Sequence, residues 1–175
     1  MKGFVAAVVV GLMPLLFTTP VAAQSPDPNL KVIDQSSSDA AKARGEINFD
    51  DLKFPIEVDQ PFEPSMLTDE VRSLDGRRVK LRGYILPTTL FKQTGIRQFV
   101  LVRDNQECCF GPGAALFDCV IVEMVPGETI DFATRPVTVT GKLTIDTESY
   151  RHPGGKGPKG TSHFAIFHID GEAVD

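Results

Sequence analysis

The chain has 175 residues, of which 42% are hydrophobic and 23% are charged, so it can form one domain with a buried core. Its formal net charge of −5 argues against a general nucleic-acid binder or a protein held on anionic lipid, because both surfaces repel an acidic domain. Three cysteines are too few for a disulfide-dense scaffold.

The first 23 residues have the pattern of a secretory signal peptide. The positively charged Lys2 precedes a nearly continuous apolar run over residues 4–17. A stretch of small residues then follows, and its last member is Ala23. The run has 14 residues, fewer than the roughly 20 that a membrane-spanning helix needs. We therefore expect cleavage after Ala23 and a periplasmic or secreted protein without stable membrane insertion. The alternative is a retained N-terminal anchor.

The region after the signal peptide changes character twice. Residues 24–45 are rich in Ser, Asp, Ala and Lys without an apolar period, which predicts a disordered tether. Residues 46–64 mix apolar side chains with Pro55, Pro61 and Pro64, which predicts an extended lead-in that lies on the domain surface and buries some of those side chains. The folded domain is then expected to occupy residues 65–175.

The domain is predicted to be all-β with a minor helical part. One short N-terminal helix is expected over residues 65–76, where Ser65 or Thr68 can cap the first turn and Gly76 can end the last. The predicted strands are 78–86, 98–102, 119–124, 136–143 and 163–169. Five strands with glycines at the bend positions Gly83 and Gly141 predict a small OB-like antiparallel barrel, with a β-sandwich as the alternative.

All three cysteines lie within residues 108–119. In an oxidising compartment, Cys108 or Cys109 can form a disulfide with Cys119, which closes a short loop and contributes about 3 kcal/mol. A second interpretation is a zinc or cuprous copper site formed by Cys108, Cys109 and Cys119 with His163 or His152, since thiolate and imidazole suit both ions. Against this, adjacent cysteines in an extended stretch point to opposite faces.

A third interpretation is redox chemistry at the adjacent cysteines. Low thiol pKa values usually arise beside cations or at a helix start, whereas the neighbours here are Asp104, Glu107 and Asp118. The acidic surroundings disfavour this chemistry. Buried structural thiols are the remaining interpretation, so the cysteines alone do not select a mechanism.

A basic, glycine-rich loop precedes the last predicted strand. Arg151, His152, Lys156 and Lys159 lie in it, and in OB barrels the corresponding loop flanks the ligand face. These side chains are candidates for anion or ligand binding, with a solvated connector as the alternative. His163 and His168, five residues apart on one predicted strand, are expected on opposite faces.

Several segments together resemble a family of exported bacterial proteins catalogued as a domain of unknown function with an OB-like barrel. The likeness covers about residues 74–169, and its most specific piece is the Cys-Cys-Phe-Gly-Pro-Gly run over 108–113. The family supplies no catalytic residues. Some of its members sit beside transport systems for metals or small molecules, which favours binding over catalysis.

The sequence thus predicts an exported cell-envelope binding or accessory module without catalytic activity. Its expected partner is an envelope protein or a small ligand, and no cofactor is expected. The alternatives are a periplasmic zinc- or copper-binding protein and a thiol redox protein.

Overall fold

The computed structural model describes residues 36–57, 60–87, 93–103, 116–155 and 162–175, all within one compact unit, Asp34–Asp175. The predicted signal peptide lies outside the described residues, as does the first half of the predicted tether. None of the described helices has the length and apolar character needed to cross a membrane.

Five strands close into a barrel. The strands of the described chain are β1 (Glu46–Ile47), β2 (Arg78–Pro87), β3 (Gln98–Val102), β4 (Cys119–Met124), β5 (Val137–Ile145) and β6 (Phe167–Val174). They are ordered β1-β2-β3-β4-β6-β5, and a further pairing of β5 with β2 closes the ring. The predicted five-stranded barrel is confirmed, and the short β1 is added in parallel outside the ring, beside β2.

The barrel is mixed rather than wholly antiparallel, which corrects the prediction. Strands β4 and β6 pair in parallel, with Ile121 opposite His168, whereas the other four pairings of the ring are antiparallel. A closed ring of five strands cannot alternate direction at every step because five is odd. One parallel pair is therefore the minimum that closure requires.

The helices are short. Helix α1 (Asp39–Ala43) is capped by Ser38, and α2 (Asp69–Arg72) is capped by Thr68. The remaining helical pieces are 3₁₀ turns at Phe49–Leu52, Pro64–Met66, Leu116–Asp118 and Pro153–Gly155. Helix α1 falls inside the predicted tether, and α2 is only the central part of the predicted helix 65–76. The described chain therefore has more than the single short helix that the sequence predicted.

The lead-in contributes apolar side chains to the core, whereas the polar residues and prolines between them are mostly exposed. The buried side chains of Ile47, Phe49, Leu52, Phe54 and Phe62 belong to the same apolar cluster as the inward-facing residues of the strands. The capping box of Asn48 and Asp51 turns the chain so that Phe49 and Leu52 face inward.

Two strand glycines occur where backbone and side chains approach closely. A Cβ on Gly83 would lie 2.6 Å from the carbonyl oxygen of Val102 and 3.0 Å from the Phe49 ring. A Cβ on Gly141 would lie 2.1 Å from the Asp170 oxygen, beside an irregularity in the β5–β6 register. The register irregularity at Gly141 agrees with the predicted bulge, whereas Gly83 is shown only as a position of close approach.

Strand β6 begins later than predicted. The sequence placed the last strand at 163–169, whereas β6 is Phe167–Val174 and residues 162–166 precede it as a separate covering segment. Consequently His163 and His168 do not share a strand.

Candidate functional site

A second apolar cluster covers the outer face of the barrel. Val100, Val102, Cys119 and Ile121 point outward from β3 and β4 and are buried beneath Ala165. The partly buried side chains at the edge of this cluster are Tyr84, Leu86, Tyr150 and Phe164. In OB barrels this kind of face, with its flanking loops, holds the ligand. Here part of it is covered by the chain itself.

Cys119 belongs to this cluster. Its side chain is buried, and Sγ lies 3.7 Å from the carbonyl oxygen of Phe164. Within the part of the chain that the structure describes, Cys119 is a free cysteine. Cys108 and Cys109 lie outside the described residues, so the predicted disulfide stays a prediction.

The base of the loop between β3 and β4 is fixed to the lead-in. Arg103, just after β3, places Nη1 3.1 Å from Oδ1 of Asp50 and Nε 2.9 Å from Oδ1 of Asp118, just before β4. The pKa of Asp50 is lowered by a hydrogen bond from Lys53 and by the charge of Arg103. The guanidinium also lies 5.9 Å from the centre of the Phe49 ring. These contacts hold the two ends of the loop together.

His163 is held in a directional hydrogen-bond chain. The Phe62 N–H donates to Ser162 Oγ at 3.0 Å, and Ser162 Oγ lies 2.7 Å from His163 Nδ1. The other ring nitrogen, Nε2, lies 2.8 Å from the carbonyl oxygen of Thr147. Because a carbonyl only accepts, Nε2 carries the proton and Nδ1 accepts from the serine hydroxyl.

This arrangement bears on the predicted metal site. A metal at His163 would have to displace either Ser162 or Thr147 from the imidazole. No three His, Cys, Asp or Glu side chains converge into a metal-binding group among the residues described. The predicted ligands Cys108 and Cys109 lie outside those residues, so the metal site is left as a prediction.

The loop between β5 and β6 carries three neighbouring rings, which we call the aromatic rim: Tyr150, His152 and Phe164. The ring of Phe164 is 5.8 Å from that of Tyr150 and 5.6 Å from that of His152, both edge-to-face. All three side chains are partly exposed. Among the predicted loop residues, His152 thus joins the rim and Arg151 pairs with Glu148 at 3.3 Å, whereas Lys156 and Lys159 lie outside the described residues.

Carboxylates lie beside the rim. Glu123 on β4 and Asp170 on β6 are register partners, and both are exposed. Burial raises the pKa of the Tyr150 hydroxyl, and the negative charges of Asp146, Glu123 and Asp170 raise it further. The ring of His168 lies 6.2 Å from that of Tyr150, and its Nδ1 lies 3.8 Å from Asp170 Oδ1.

Sequence reasoning missed the convergence of Tyr150, His168, Glu123 and Asp170. Alternation along β6 places His168 and Asp170 on one face, and alternation along β4 does the same for Ile121 and Glu123. The two pairs become neighbours only through the parallel pairing of β4 with β6. That pairing joins strands more than 40 residues apart and has no local signal.

The architecture and the covered outer face define a small OB-like barrel protein. The chain matches the family model described as "Protein of unknown function (DUF3299)" over residues 31–157. It therefore belongs to the DUF3299 family, which confirms the resemblance seen in the sequence. A crystal structure of a DUF3299 family protein from Pseudomonas aeruginosa PAO1 is 19% identical and has a TM-score of 0.47, with 74% of this chain and 93% of that chain covered. The comparison with curated proteins found no match.

Proposed function

We propose that this DUF3299 protein is an exported, non-catalytic binding or accessory module of the cell envelope. The observation that carries the proposal is the aromatic rim, because three partly exposed rings cluster at the edge of the OB-type ligand face. Rings with one packed and one solvated side are typical of contact surfaces. Export is supported by the signal-peptide pattern of residues 1–23.

A binding role rather than catalysis is supported by what the described titratable groups do. His163 is engaged at both ring nitrogens, and the carboxylate of Asp50 is bound to Lys53 and Arg103. Cys119 is packed in an apolar cluster. Ser162 Oγ does lie 2.7 Å from His163 Nδ1, as a nucleophile lies beside its base, but both side chains are buried and the same oxygen accepts the Phe62 N–H. We therefore assign this pair, like Asp50 and Cys119, a structural role.

The first experiment tests the binding surface in cells. A photo-crosslinking phenylalanine analogue replaces Phe164 in the rim, and the matched control places the same analogue at Phe132, which is also partly buried but packs on the inner core. We expect a discrete adduct in the envelope fraction from position 164 and none from position 132. Equal labelling at both positions, or none at either, contradicts the proposal.

A second experiment separates the alternatives, using protein purified from the periplasm. Intact mass is measured with and without reductant, together with metal content. Zinc or copper at one equivalent, lost in Cys109→Ser, would favour the metal-binding protein. Turnover of a model disulfide would favour the redox protein. Processing after Ala23, measured by the same intact mass, tests the proposed export.

A further inference from the structure

We propose that the aromatic rim and the carboxylates beside it receive a basic segment of the partner, with a lysine or arginine side chain placed against Tyr150 and between Glu123 and Asp170. This inference rests on the proposed binding function and specifies the chemistry of the partner. It commits to a cationic peptide segment rather than to a small neutral ligand.

Glu123 and Asp170 are exposed carboxylates that form no ion pair with a Lys or Arg of the described chain. Several other acidic side chains of the described chain are paired with cations: Asp51 with Lys42, Asp50 with Arg103, Glu46 with Arg44, Glu172 with Arg78 and Glu148 with Arg151. Among the described residues, neither Glu123 nor Asp170 has a Lys or Arg within ion-pair distance, and the imidazole of His168 places Nδ1 3.8 Å from Asp170 Oδ1.

The two carboxylates also repel each other. Glu123 and Asp170 are opposite one another across the β4–β6 pair, and like charges in that position destabilise a sheet. A cation between them would relieve the repulsion and satisfy both groups. Lys142, the register partner of Asp170 on β5, bounds the acidic stretch, so a bound cation is expected on the side of Asp170 that faces Glu123.

The Tyr150 ring can itself contact a cation. Tyr150 is partly buried, stands within electrostatic reach of Asp146, Glu123 and Asp170, and has Phe164 at its edge. A lysine or arginine over a tyrosine face gains cation–π attraction, which grows as the pair is desolvated. In addition, Nε2 of His168 is buried without a hydrogen-bond partner among the described groups, so the imidazole beside Tyr150 keeps one unused hydrogen-bonding atom.

The experiment uses Tyr150 as its own reporter. The chain contains two tyrosines and no tryptophan, so Tyr84→Phe leaves Tyr150 as the sole intrinsic fluorophore of this kind. The mature protein carrying this change is titrated with octalysine, and with octaglutamate as the charge-reversed probe. We expect saturable quenching with octalysine that weakens as salt rises, and no response to octaglutamate.

Charge-removing variants locate the binding. Glu123→Gln and Asp170→Asn should each weaken octalysine binding about two- to fivefold, and the double variant about tenfold, as expected for exposed ion pairs. Glu70→Gln, which removes one exposed carboxylate on α2, is the matched control and should leave binding unchanged. Circular dichroism checks that each variant folds. If Asp170→Asn does not fold, Glu123→Gln alone is sufficient to test the location of binding.

Three results would overturn the inference: no response to octalysine, an equal response to octaglutamate, or an equal loss of binding in Glu70→Gln. If crosslinking from position 164 persists in any of these cases, the binding function stands and only the cationic partner is wrong. If crosslinking fails while octalysine still binds at Glu123 and Asp170, the cationic surface stands and the rim is not the envelope contact.

Discussion

Ser162 Oγ lies 2.7 Å from Nδ1 of His163, and the same oxygen accepts the backbone N–H of Phe62 from 100 residues earlier in the chain. One hydroxyl therefore joins the lead-in to the segment that covers the outer face. Both side chains are buried, so water does not replace either hydrogen bond easily.

Ser162→Ala should destabilise the protein by about 1–3 kcal/mol, because the buried Phe62 N–H would lose its acceptor. The measurement is the urea unfolding midpoint at unchanged slope. Ser73→Ala is the matched control, since Ser73 donates to the Glu70 carbonyl at an exposed position, and it should change stability by less than about 0.5 kcal/mol. Equal effects of the two changes on the unfolding midpoint would show that the buried hydrogen-bond chain does not contribute to stability.

The pair of Asp50 with Lys53 and Arg103 predicts a pH dependence. The pKa of Asp50 is lowered from its ordinary value of 3.8, so the folded carboxyl stays ionised at a pH where the unfolded chain takes up a proton. Its contribution to stability is therefore complete above the ordinary pKa and is lost as the pH falls through the lower folded value.

We expect Asp50→Asn to be less stable than the wild type at neutral pH, with the difference shrinking as the pH falls below about 4. Urea unfolding at a series of pH values measures this, with Glu70→Gln as the exposed carboxylate control. A difference between Asp50→Asn and wild type that stays constant down to about pH 2 would contradict the assignment.

Tyr150 should titrate above pH 10. Burial and the three nearby carboxylates raise the pKa of its hydroxyl above the ordinary value of 10.0. The folded state thus favours the neutral phenol, and stability is lost as the pH rises past the point where the unfolded tyrosine ionises. Alkaline absorbance titration of the Tyr84→Phe variant isolates Tyr150 and should give this raised midpoint.

Neutralising Glu123 and Asp170 in the same background should lower the midpoint of Tyr150 without returning it fully to the ordinary value, because burial is the largest cause. An unchanged midpoint in that double variant would mean that the carboxylates lie too far from the ring to matter.

The predicted disulfide gives a test at Cys119. If Cys119 is bonded to Cys108 or Cys109, Cys119→Ser should destabilise the oxidised protein by about 2–5 kcal/mol. Reductant should then lower the stability of the wild type but leave that of the variant unchanged. Reductant-independent stability of the wild type would rule out the disulfide, and Cys119 would remain as the buried thiol beside Phe164.

The strands that were predicted well have strong local patterns. The bounds of β3 and β4 agree with the prediction because both are continuous apolar runs, and β2 agrees within one residue because it alternates regularly. The start of β6 could not be read this way, since the apolar run over 164–169 serves first as a cover and then as a strand. The later part of β6 contains Asp170 and Gly171, a pair that is typical of turns but lies in the sheet here. A Cβ on Gly171 would come within 2.8 Å of Met124 Sδ.

The parts that were missed depend on distant contacts. Helix α1 is held by the ion pair of Lys42 with Asp51, and two-residue β1 exists only because β2 lies beside it. The candidate site depends in the same way on the parallel β4–β6 pairing. The parity argument predicts at least one parallel pair once the five strands are known to close, but it does not say which two strands form that pair.

The position of β6 between β4 and β5 sets an order of assembly. A chain that emerges N-terminus first, from a ribosome or a translocation channel, presents β4 and β5 with open edges until the last described strand arrives. Such edges are templates for pairing with other chains. Strand β6 therefore closes the barrel. We expect interruption of synthesis before residue 167 to yield an aggregation-prone intermediate instead of a smaller stable fold.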